Sequence, residues 1–396
     1  MNPYQKENNM KSIKTTIAIF TSAMIIAGCG GSSSKSSSET IPLNAAAAKK
    51  TQDYVTVNKQ VGASVALVKG TRLVWAGAAG DANKALGIKA TTDTVFMCAS
   101  VSKPIMTAAV MTLVERGKIN LDADVNDYLP FKIENPKSTA SVITMRRLLS
   151  HTSGLSDLHF ASFFAARTFY YNGSDPTITL ADFVKGFFTK TGTYYNANSF
   201  RSEGAGGAYE YSNMGYTLAG YVVERVTGKS LADYAKDAIF GPLGMTKSSY
   251  RLRGFANSEL AMPYGTDGSP LTHYTFADWP GGSVRTTALD LSRFMRMLIN
   301  NGTFNGRTVL ARSSVDEMKK VQNPTLYEGA GLGLDYQNYG TDIVGHLGQE
   351  SGVGAVFYFE PSSQAGAIVL LNTELSPQAD VLIPYASELF AIARTD

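Results

Sequence analysis

The sequence predicts an α/β protein of the α+β type, with an antiparallel sheet built from both chain ends and flanked by helices. Near the N-terminus, residues 62–70 and 71–80 are β-rich runs joined by a short turn, which is typical of a hairpin. Near the C-terminus, residues 354–360 and 366–372 form a second pair around a Pro-containing turn. The middle of the chain is mostly helical and loop, which predicts a second, largely helical region beside the sheet.

Helical patterns lie outside both pairs of strands. Residues 44–60 are rich in alanine and straight-chain residues, and residues 378–393 have amphipathic spacing, so we expect terminal helices on one face of the sheet. In the middle of the chain, residues 212–228, 230–241 and 287–302 are helical patterns that end at glycine or Gly-Pro.

Composition restricts the class of partner and cofactor. The chain has 396 residues, of which 44% are hydrophobic and 17% charged, and this is typical of a globular protein with a substantial core. A net charge of +3 without a dense basic block does not support a nucleic-acid partner. P-loop and G-x-G-x-x-G patterns are absent, so a nucleotide is not expected. A metal is not expected either, because the histidines lack metal-ligand spacing: His151, His159, His273 and His346.

The first residues of the chain resemble an export signal. Two lysines precede a largely apolar stretch over residues 15–28, which is too short to span a bilayer but suits a signal peptide. The sequence IAGC at residues 26–29 resembles the lipobox of bacterial lipoproteins, in which the cysteine is lipidated and becomes the mature N-terminus. The alternative is a simple secretory signal cleaved elsewhere.

These features predict three regions. Residues 1–28 would be a signal peptide of the lipoprotein type, residues 29–44 the lipidated Cys29 and a Ser-rich linker, and residues 45–395 the folded domain. Lipidation of Cys29 would anchor the protein to a bacterial membrane, with the outer membrane the expected one, facing the periplasm. Cleavage elsewhere would give a secreted protein. Cys98 is then expected to be a small buried side chain without a disulfide.

A serine and a lysine at the start of a helical pattern are the first candidates for chemistry. In CASVSKPIMTAAV, residues 98–110, Ser100 precedes Lys103 by about one helical turn, so the amine could reach the hydroxyl. A serine becomes a good nucleophile when a base takes its proton, and burial lowers a lysine pKa toward that role. The same S-x-x-K pattern occurs at Ser32 and Lys35, so the motif alone leaves an ordinary helix start open.

Two further short motifs carry polar groups. The sequence YSN places Tyr211 and Asn213 before a helical pattern; a tyrosine near an ammonium can share its proton, and an asparagine offers a donor and an acceptor to an amide. The sequence HLG, with His346 and Gly348, enters the predicted strand at residues 354–360, where glycine would let backbones approach closely. Each motif is weak by itself.

The order of the three motifs resembles the serine β-lactamase and penicillin-binding-protein superfamily, in particular class C β-lactamases, related D-Ala-D-Ala carboxypeptidases and family VIII esterases. Segments LLSHTSGL (148–155), GPLGMTKSSY (241–250) and WPGGSVRTTALDLSRF (279–294) are also similar to this family. The resemblance covers about residues 45–395. It implies a β-lactamase/DD-peptidase-like fold and a serine hydrolase domain.

The resemblance implies a role for each matching residue. Ser100 would be the acylated nucleophile and Lys103 its proton partner. Tyr211 would act as general base for acylation and help to activate water for deacylation. Asn213 would hold the substrate amide, and His346 would supply polarity to the proton network where many relatives have lysine.

The strand motif implies the rest of the site and one departure from the family. The backbone N–H groups of Ser100 and Gln349 would form the oxyanion hole beside Gly348, and such a site needs no metal or organic cofactor. Relatives that act on peptides or β-lactams usually carry a hydroxyl residue where this chain has Leu347, close to the substrate carboxylate. Leucine cannot make that hydrogen bond, which favours ester or uncharged amide substrates, although Gln349 could replace it in part.

We therefore expect a serine hydrolase that acts through an acyl-enzyme on Ser100 and cleaves an ester or amide. Its substrate would be a short-chain ester, a D-Ala-D-Ala-type peptide or a β-lactam. The alternative is a penicillin- or peptidoglycan-binding envelope lipoprotein without efficient turnover. The expected partners are a small-molecule or peptide substrate and a membrane reached through the lipid anchor at Cys29. The sequence carries no indication of an oligomeric state.

Overall fold

A computed structural model describes residues 39–139, 142–336, 342–375 and 379–396. The predicted signal peptide, the lipidation site at Cys29 and most of the Ser-rich linker lie outside the described residues. No helix in the described part of the chain is long and apolar enough to cross a bilayer.

Eleven α-helices are present in the described residues. They are α1 Ala45–Val57, α2 Ser102–Glu115, α3 Met145–Leu149, α4 Phe160–Ala165, α5 Leu180–Phe188, α6 Asn213–Thr227, α7 Leu231–Ala235, α8 Gly241–Leu243, α9 Ala288–Ile299, α10 Arg312–Lys319 and α11 Ala379–Thr395. The strands are β1 Gly62–Lys69, β2 Arg72–Asn83, β3 Ile88–Lys89, β4 Phe96–Met97, β5 Tyr170–Asn172, β6 Tyr274–Phe276, β7 Arg285–Thr286, β8 Thr303–Phe304, β9 Arg307–Thr308, β10 Val344–Glu350, β11 Val353–Glu360 and β12 Ala365–Leu371.

Both chain ends contribute to one six-stranded sheet, as the sequence predicts. Its order is β10-β11-β12-β1-β2-β3, and each neighbouring pair is antiparallel. The two ends meet where β1 pairs with β12, from Ala63 opposite Leu371 to Lys69 opposite Ala365. The predicted antiparallel sheet flanked by helices is therefore confirmed.

The sheet is buried on both faces because helices cover each side. Alternate residues of β1 point to opposite faces. Val65 packs with the terminal helices α1 and α11, and Ala66 packs in the larger core that includes α2 and α9. Tyr54 of α1 and Tyr385 of α11 stack with ring centroids 4.0 Å apart. Each large apolar side chain buried in this way contributes about 1.5–3 kcal/mol to stability. Packing against helices on both faces therefore stabilises the sheet, including the strand β10 that lines the site.

Three local features differ from the sequence-based predictions. The helix expected over residues 230–241 is α7, a π-helical turn Lys236–Phe240 and then α8, and it ends at Gly244 with φ 66°. Pro242 has no N–H to donate and, in the first turn of α8, needs none, so it does not end the helix.

The other two differences lie beside the predicted site. The HLG motif does not lead into β11 but lies within a separate edge strand, β10, that pairs with it. Ser100 is not the first residue of α2; it lies in a 3₁₀ turn, Ala99–Val101, and α2 follows at Ser102. The tight turn is stabilised by the Ser102 hydroxyl, which donates a hydrogen bond to the Ala99 carbonyl.

Candidate active site

Ser100 is held in a tight turn between β4 and the buried helix α2. The Ser102 hydroxyl donates to the Ala99 carbonyl at 2.7 Å and accepts from the Val284 N–H at 2.9 Å, which pins the turn to the neighbouring chain. Ala99 has φ 46°, a left-handed conformation that a non-glycine residue seldom adopts and that costs about 1–3 kcal/mol. The surrounding packing therefore fixes an unusual backbone next to the serine.

The structure brings Ser100, Lys103, Tyr211 and Asn213 together. The Lys103 Nζ lies 3.1 Å from the Ser100 Oγ, and the Tyr211 hydroxyl donates to the same Oγ at 2.9 Å. Lys103 also donates to the Asn213 Oδ1 at 2.7 Å and to the Gly281 carbonyl at 3.1 Å. The serine hydroxyl therefore lies between two groups that can exchange protons with it.

Burial sets the protonation of these groups. Lys103 is 0% exposed, and desolvation lowers its pKa to about 7, although the carboxyl groups of Asp157, Asp278 and Glu350 oppose the decrease. Burial raises the pKa of Tyr211 well above its ordinary value. Solvent around the 38% of Tyr211 that remains exposed moderates the size of this increase but not its direction. At neutral pH Lys103 is thus partly a neutral amine, while Tyr211 keeps its proton.

Asp157 fixes the N-terminal end of α6, and no sequence motif indicated this role. Its carboxylate accepts from the Ser212 hydroxyl and the Asn213 N–H, both at 2.7 Å, and from the Met214 N–H at 3.1 Å. Burial raises the pKa of Asp157 and these hydrogen bonds oppose the increase. The carboxylate orients Asn213 and places a negative charge near Lys103, which stabilises the ammonium form of the lysine.

His151 packs against the ring of Tyr211. Its ring stacks on Tyr211 with centroids 4.3 Å apart, and its Nδ1 accepts a hydrogen bond from the Ser212 N–H at 3.0 Å. Burial, reinforced by the charge of Lys103, lowers the pKa of His151 well below its ordinary value, so the ring is neutral. The sequence marked this residue only as part of a segment similar to the family. In the structure it packs against the Tyr211 ring and holds the neighbouring Ser212 backbone.

Strand β10 forms the opposite side of the site, and Gly348 allows its close approach. A Cβ at Gly348 would lie 2.3 Å from the Cys98 carbonyl oxygen, so only glycine fits against the nucleophile turn. Gln349 then lines the cavity next to Ser100. The His346 ring contacts the Leu347 carbonyl and lies 6.2 Å, centroid to centroid, from the Tyr211 ring. His346 thus lines the site, but within the described residues the hydrogen bonds to the Ser100 Oγ come from Lys103 and Tyr211.

Gly348→Ala is expected to lower hydrolysis about 10-fold or more, because the added methyl group must push β10 away from the nucleophile turn. Overpacking of this kind costs about 1–3 kcal/mol, so thermal unfolding should also shift to a lower temperature. We would measure kcat/KM on a neutral ester and the unfolding temperature together. Wild-type values for both would show that the close approach of β10 does not matter to the site.

A cavity of about 370 Å³ opens above the serine. Its walls include Ser100, Tyr211, Asn213, His346 and Gln349, all predicted from sequence, and Lys103 lies beneath the serine, fully buried. Leu347 also lines the cavity, together with three carboxyl groups, those of Asp278, Asp335 and Glu350. The cavity can therefore hold a small acyl group over Ser100.

Other reactive groups do not fit a metal or thiol chemistry. No cluster of three or more histidine, cysteine, aspartate or glutamate side chains that could hold a metal occurs among the described residues. Cys98 is buried, and desolvation raises its pKa to about 12, so it remains a thiol. The Ser100 hydroxyl, by contrast, contacts two side chains that can exchange protons with it.

Known proteins share both the sequence pattern and the fold. The family described as Beta-lactamase matches residues 47–391. The chain therefore belongs to the β-lactamase family of serine hydrolases, and the resemblance drawn from the three motifs is confirmed.

Individual relatives carry different activities in their names. Penicillin-binding protein 4 of Amycolatopsis lactamdurans is 31% identical over 310 residues, 74% of this chain and 76% of that protein. Esterase EstB of Burkholderia gladioli is 33% identical over 214 residues, 53% of this chain and 51% of that protein. The structure of D-amino acid amidase from Ochrobactrum anthropi SV3 complexed with L-phenylalanine amide is 25% identical, with a TM-score of 0.64 over 83% of this chain and 91% of that chain. The predicted fold is thus confirmed, while the family leaves several substrates open.

Proposed function

We propose that the protein hydrolyses an ester or amide through an acyl-enzyme on Ser100. The observation that carries this proposal is the position of the Ser100 Oγ, 3.1 Å from the Lys103 Nζ and 2.9 Å from the Tyr211 hydroxyl, in the wall of the cavity. A nucleophile, a base with a pKa of about 7 and a phenolic donor are the groups that acyl transfer requires.

Lys103 is the group that takes the serine proton first. With its pKa lowered to about 7, its neutral amine accepts the proton across the 3.1 Å contact as Ser100 attacks the carbonyl carbon. Tyr211, which keeps its proton at neutral pH, acts as a relay: it passes a proton to the leaving group in acylation, or to Ser100 in deacylation, and takes one back from the Lys103 ammonium, which becomes a neutral amine again. This assignment differs from the role that the family resemblance implies for Tyr211, which is that of general base, and keeps Lys103 as the proton partner of Ser100.

The backbone supplies the anion stabilisation. The N–H groups of Ser100 and Gln349 are the proposed oxyanion hole, and loss of one such donor typically lowers kcat about 10²–10³-fold. Asn213, held by Lys103 and Asp157, presents its amide group toward the substrate. In deacylation Lys103, neutral once its proton has passed to Tyr211, accepts a proton from the attacking water, and the Ser100 Oγ leaves the acyl carbon with a proton from Tyr211.

The cavity favours an ester or uncharged amide over a D-Ala-D-Ala peptide or a β-lactam. Leu347, in the cavity wall, cannot hydrogen-bond a substrate carboxylate. Relatives named as an esterase and a D-amino acid amidase support this preference. The likeness to a penicillin-binding protein supports the second candidate, an envelope protein that is acylated by β-lactams without efficient turnover.

A panel of three substrates separates these candidates. We would compare a short-chain nitrophenyl ester, a chromogenic cephalosporin and a D-Ala-D-Ala peptide, each with Ser100→Ala as the blank. Rapid, Ser100-dependent ester hydrolysis with slow peptide and lactam reactions is the expected result. A stable lactam adduct without turnover of any substrate would favour the penicillin-binding candidate, and no Ser100-dependent reaction at all would contradict the proposal.

A further inference from the structure

The cavity next to Ser100 is acidic. Asp278, Asp335 and Glu350 line it, and no lysine or arginine is among its described lining residues. Lys103 lies beneath the serine and is already engaged with Ser100, Asn213 and the Gly281 carbonyl. A substrate in the cavity therefore meets carboxyl groups rather than cations, which disfavours an anionic substrate.

Asp278, in the wall of this cavity, has one carboxyl oxygen without a hydrogen-bond partner among the described residues. It is only 3% exposed, and its Oδ1 accepts no hydrogen bond within the described part of the chain. Burial and the charge of Glu350 raise the pKa of Asp278 to about 8, so near neutral pH Asp278 by itself is largely a carboxylic acid, and a cation bound beside it would favour the carboxylate. A buried carboxyl oxygen without a partner is costly, and such a group is usually satisfied by a ligand or water.

Glu350 is the second carboxyl group of the pair. It ends β10, one residue after Gln349, and its Oε1 accepts from the Tyr170 hydroxyl at 3.1 Å and the Ser351 N–H at 2.9 Å. Burial is the largest effect on the pKa of Glu350 and raises it. Arg167, which stacks over the Tyr170 ring at 4.1 Å, opposes this increase. The positive charge of Arg167 lies outside the cavity lining and does not satisfy Asp278.

The pair is close enough to the nucleophile to act on a substrate bound there. The charges of Asp278 and Glu350 both act on the Lys103 ammonium, which contacts the Ser100 Oγ. A cation bound at these two carboxyl groups would lie in the same cavity as Ser100. An ammonium group supplies both the positive charge and the N–H donors that the Asp278 Oδ1 lacks.

We propose that Asp278 and Glu350 form a subsite for a free amine on the acyl part of the substrate, which makes amino-acid amides and esters the preferred substrates. This inference rests on the proposed function, because it concerns the same cavity and the same nucleophile. Because the subsite offers carboxyl groups and no cation among its described lining residues, it disfavours acyl groups that carry a carboxylate at that position.

Competition against nitrophenyl acetate hydrolysis tests the subsite without requiring turnover of the competitor. We would measure Ki for phenylalaninamide, as separate enantiomers, and for 3-phenylpropanamide, which lacks only the amine, at a pH where the amine is protonated. The better enantiomer should bind about 10-fold more tightly than 3-phenylpropanamide, a difference of about 1.4 kcal/mol. N-Succinylphenylalaninamide, which carries a carboxylate instead, should bind more weakly than either.

Variants locate the preference. The informative quantity is the Ki of 3-phenylpropanamide divided by the Ki of the better phenylalaninamide enantiomer. In Glu350→Gln and in Asp278→Asn this ratio should fall toward one, whatever the overall rate. In Glu388→Gln, an exposed glutamate on α11, the ratio should be unchanged. Equal Ki values in the wild type, or a preference that persists in both cavity variants, would overturn the subsite while leaving hydrolysis at Ser100 intact. If the wild-type protein showed no Ser100-dependent hydrolysis of nitrophenyl acetate, that result would overturn the proposed function, and the subsite with it.

Discussion

Ser100→Ala is expected to reduce ester hydrolysis by about 10³-fold or more, because removal of a nucleophile leaves only binding and oxyanion stabilisation. The fold should remain, since the side chain of Ser100 contacts only the Lys103 Nζ and the Tyr211 hydroxyl among the hydrogen bonds of the site. We would measure kcat/KM on a nitrophenyl ester and the thermal unfolding temperature of the same preparation.

A matched serine controls for the substitution itself. Ser387 lies on the exposed face of α11, where its hydroxyl donates to the Ile383 carbonyl of the same helix. Ser387→Ala should retain wild-type hydrolysis. If Ser100→Ala also retained wild-type rates, the assignment of the nucleophile would be wrong, whatever the geometry around it.

Lys103→Met is expected to lower kcat about 10²–10⁴-fold, the range typical of a lost general base. Methionine keeps the length of the buried side chain but cannot accept a proton. In the wild type the lysine pKa of about 7 has a further consequence. Below that pH the ammonium form dominates and cannot act as base, so kcat/KM for a neutral ester should fall as the pH decreases through about 7.

The pH profile separates a base from a merely structural lysine. In Lys103→Met the residual hydrolysis should lose the step near pH 7, whereas Lys49→Met, on the exposed surface of α1, should keep both the rate and the step. An unchanged profile in Lys103→Met would contradict the assignment of Lys103 as the proton acceptor. Unfolding temperatures of both variants would show that lost activity does not reflect lost structure.

The grouping of Ser100 with Lys103, Tyr211 and Asn213 was predictable from sequence because the order of the motifs along the chain is itself a signal. Ser100 and Lys103 are one turn apart, and the YSN motif precedes a recognisable helix, so their types and order were readable. The pairing of β1 with β12 was also predictable, since both chain ends carry β-rich runs.

Residues that act through tertiary contacts were not predictable in the same way. Asp157, Asp278 and His151 lie in loops without periodic patterns, and their roles depend on which distant groups approach them. Asp157 meets the first turn of α6 across 55–57 residues of sequence. Gly348 was singled out from its motif, but the reason for glycine became visible only when β10 was seen against the Cys98 carbonyl.

The most direct test of the central claim is to identify the covalent intermediate. We would quench the wild-type protein during turnover of a nitrophenyl ester, record its intact mass and map the modified peptide. An added acyl mass on the peptide containing Ser100, absent from Ser100→Ala, is the predicted result. Steady turnover with an acyl group on another residue, or with none during a measured burst of nitrophenol, would contradict acyl-enzyme formation at Ser100.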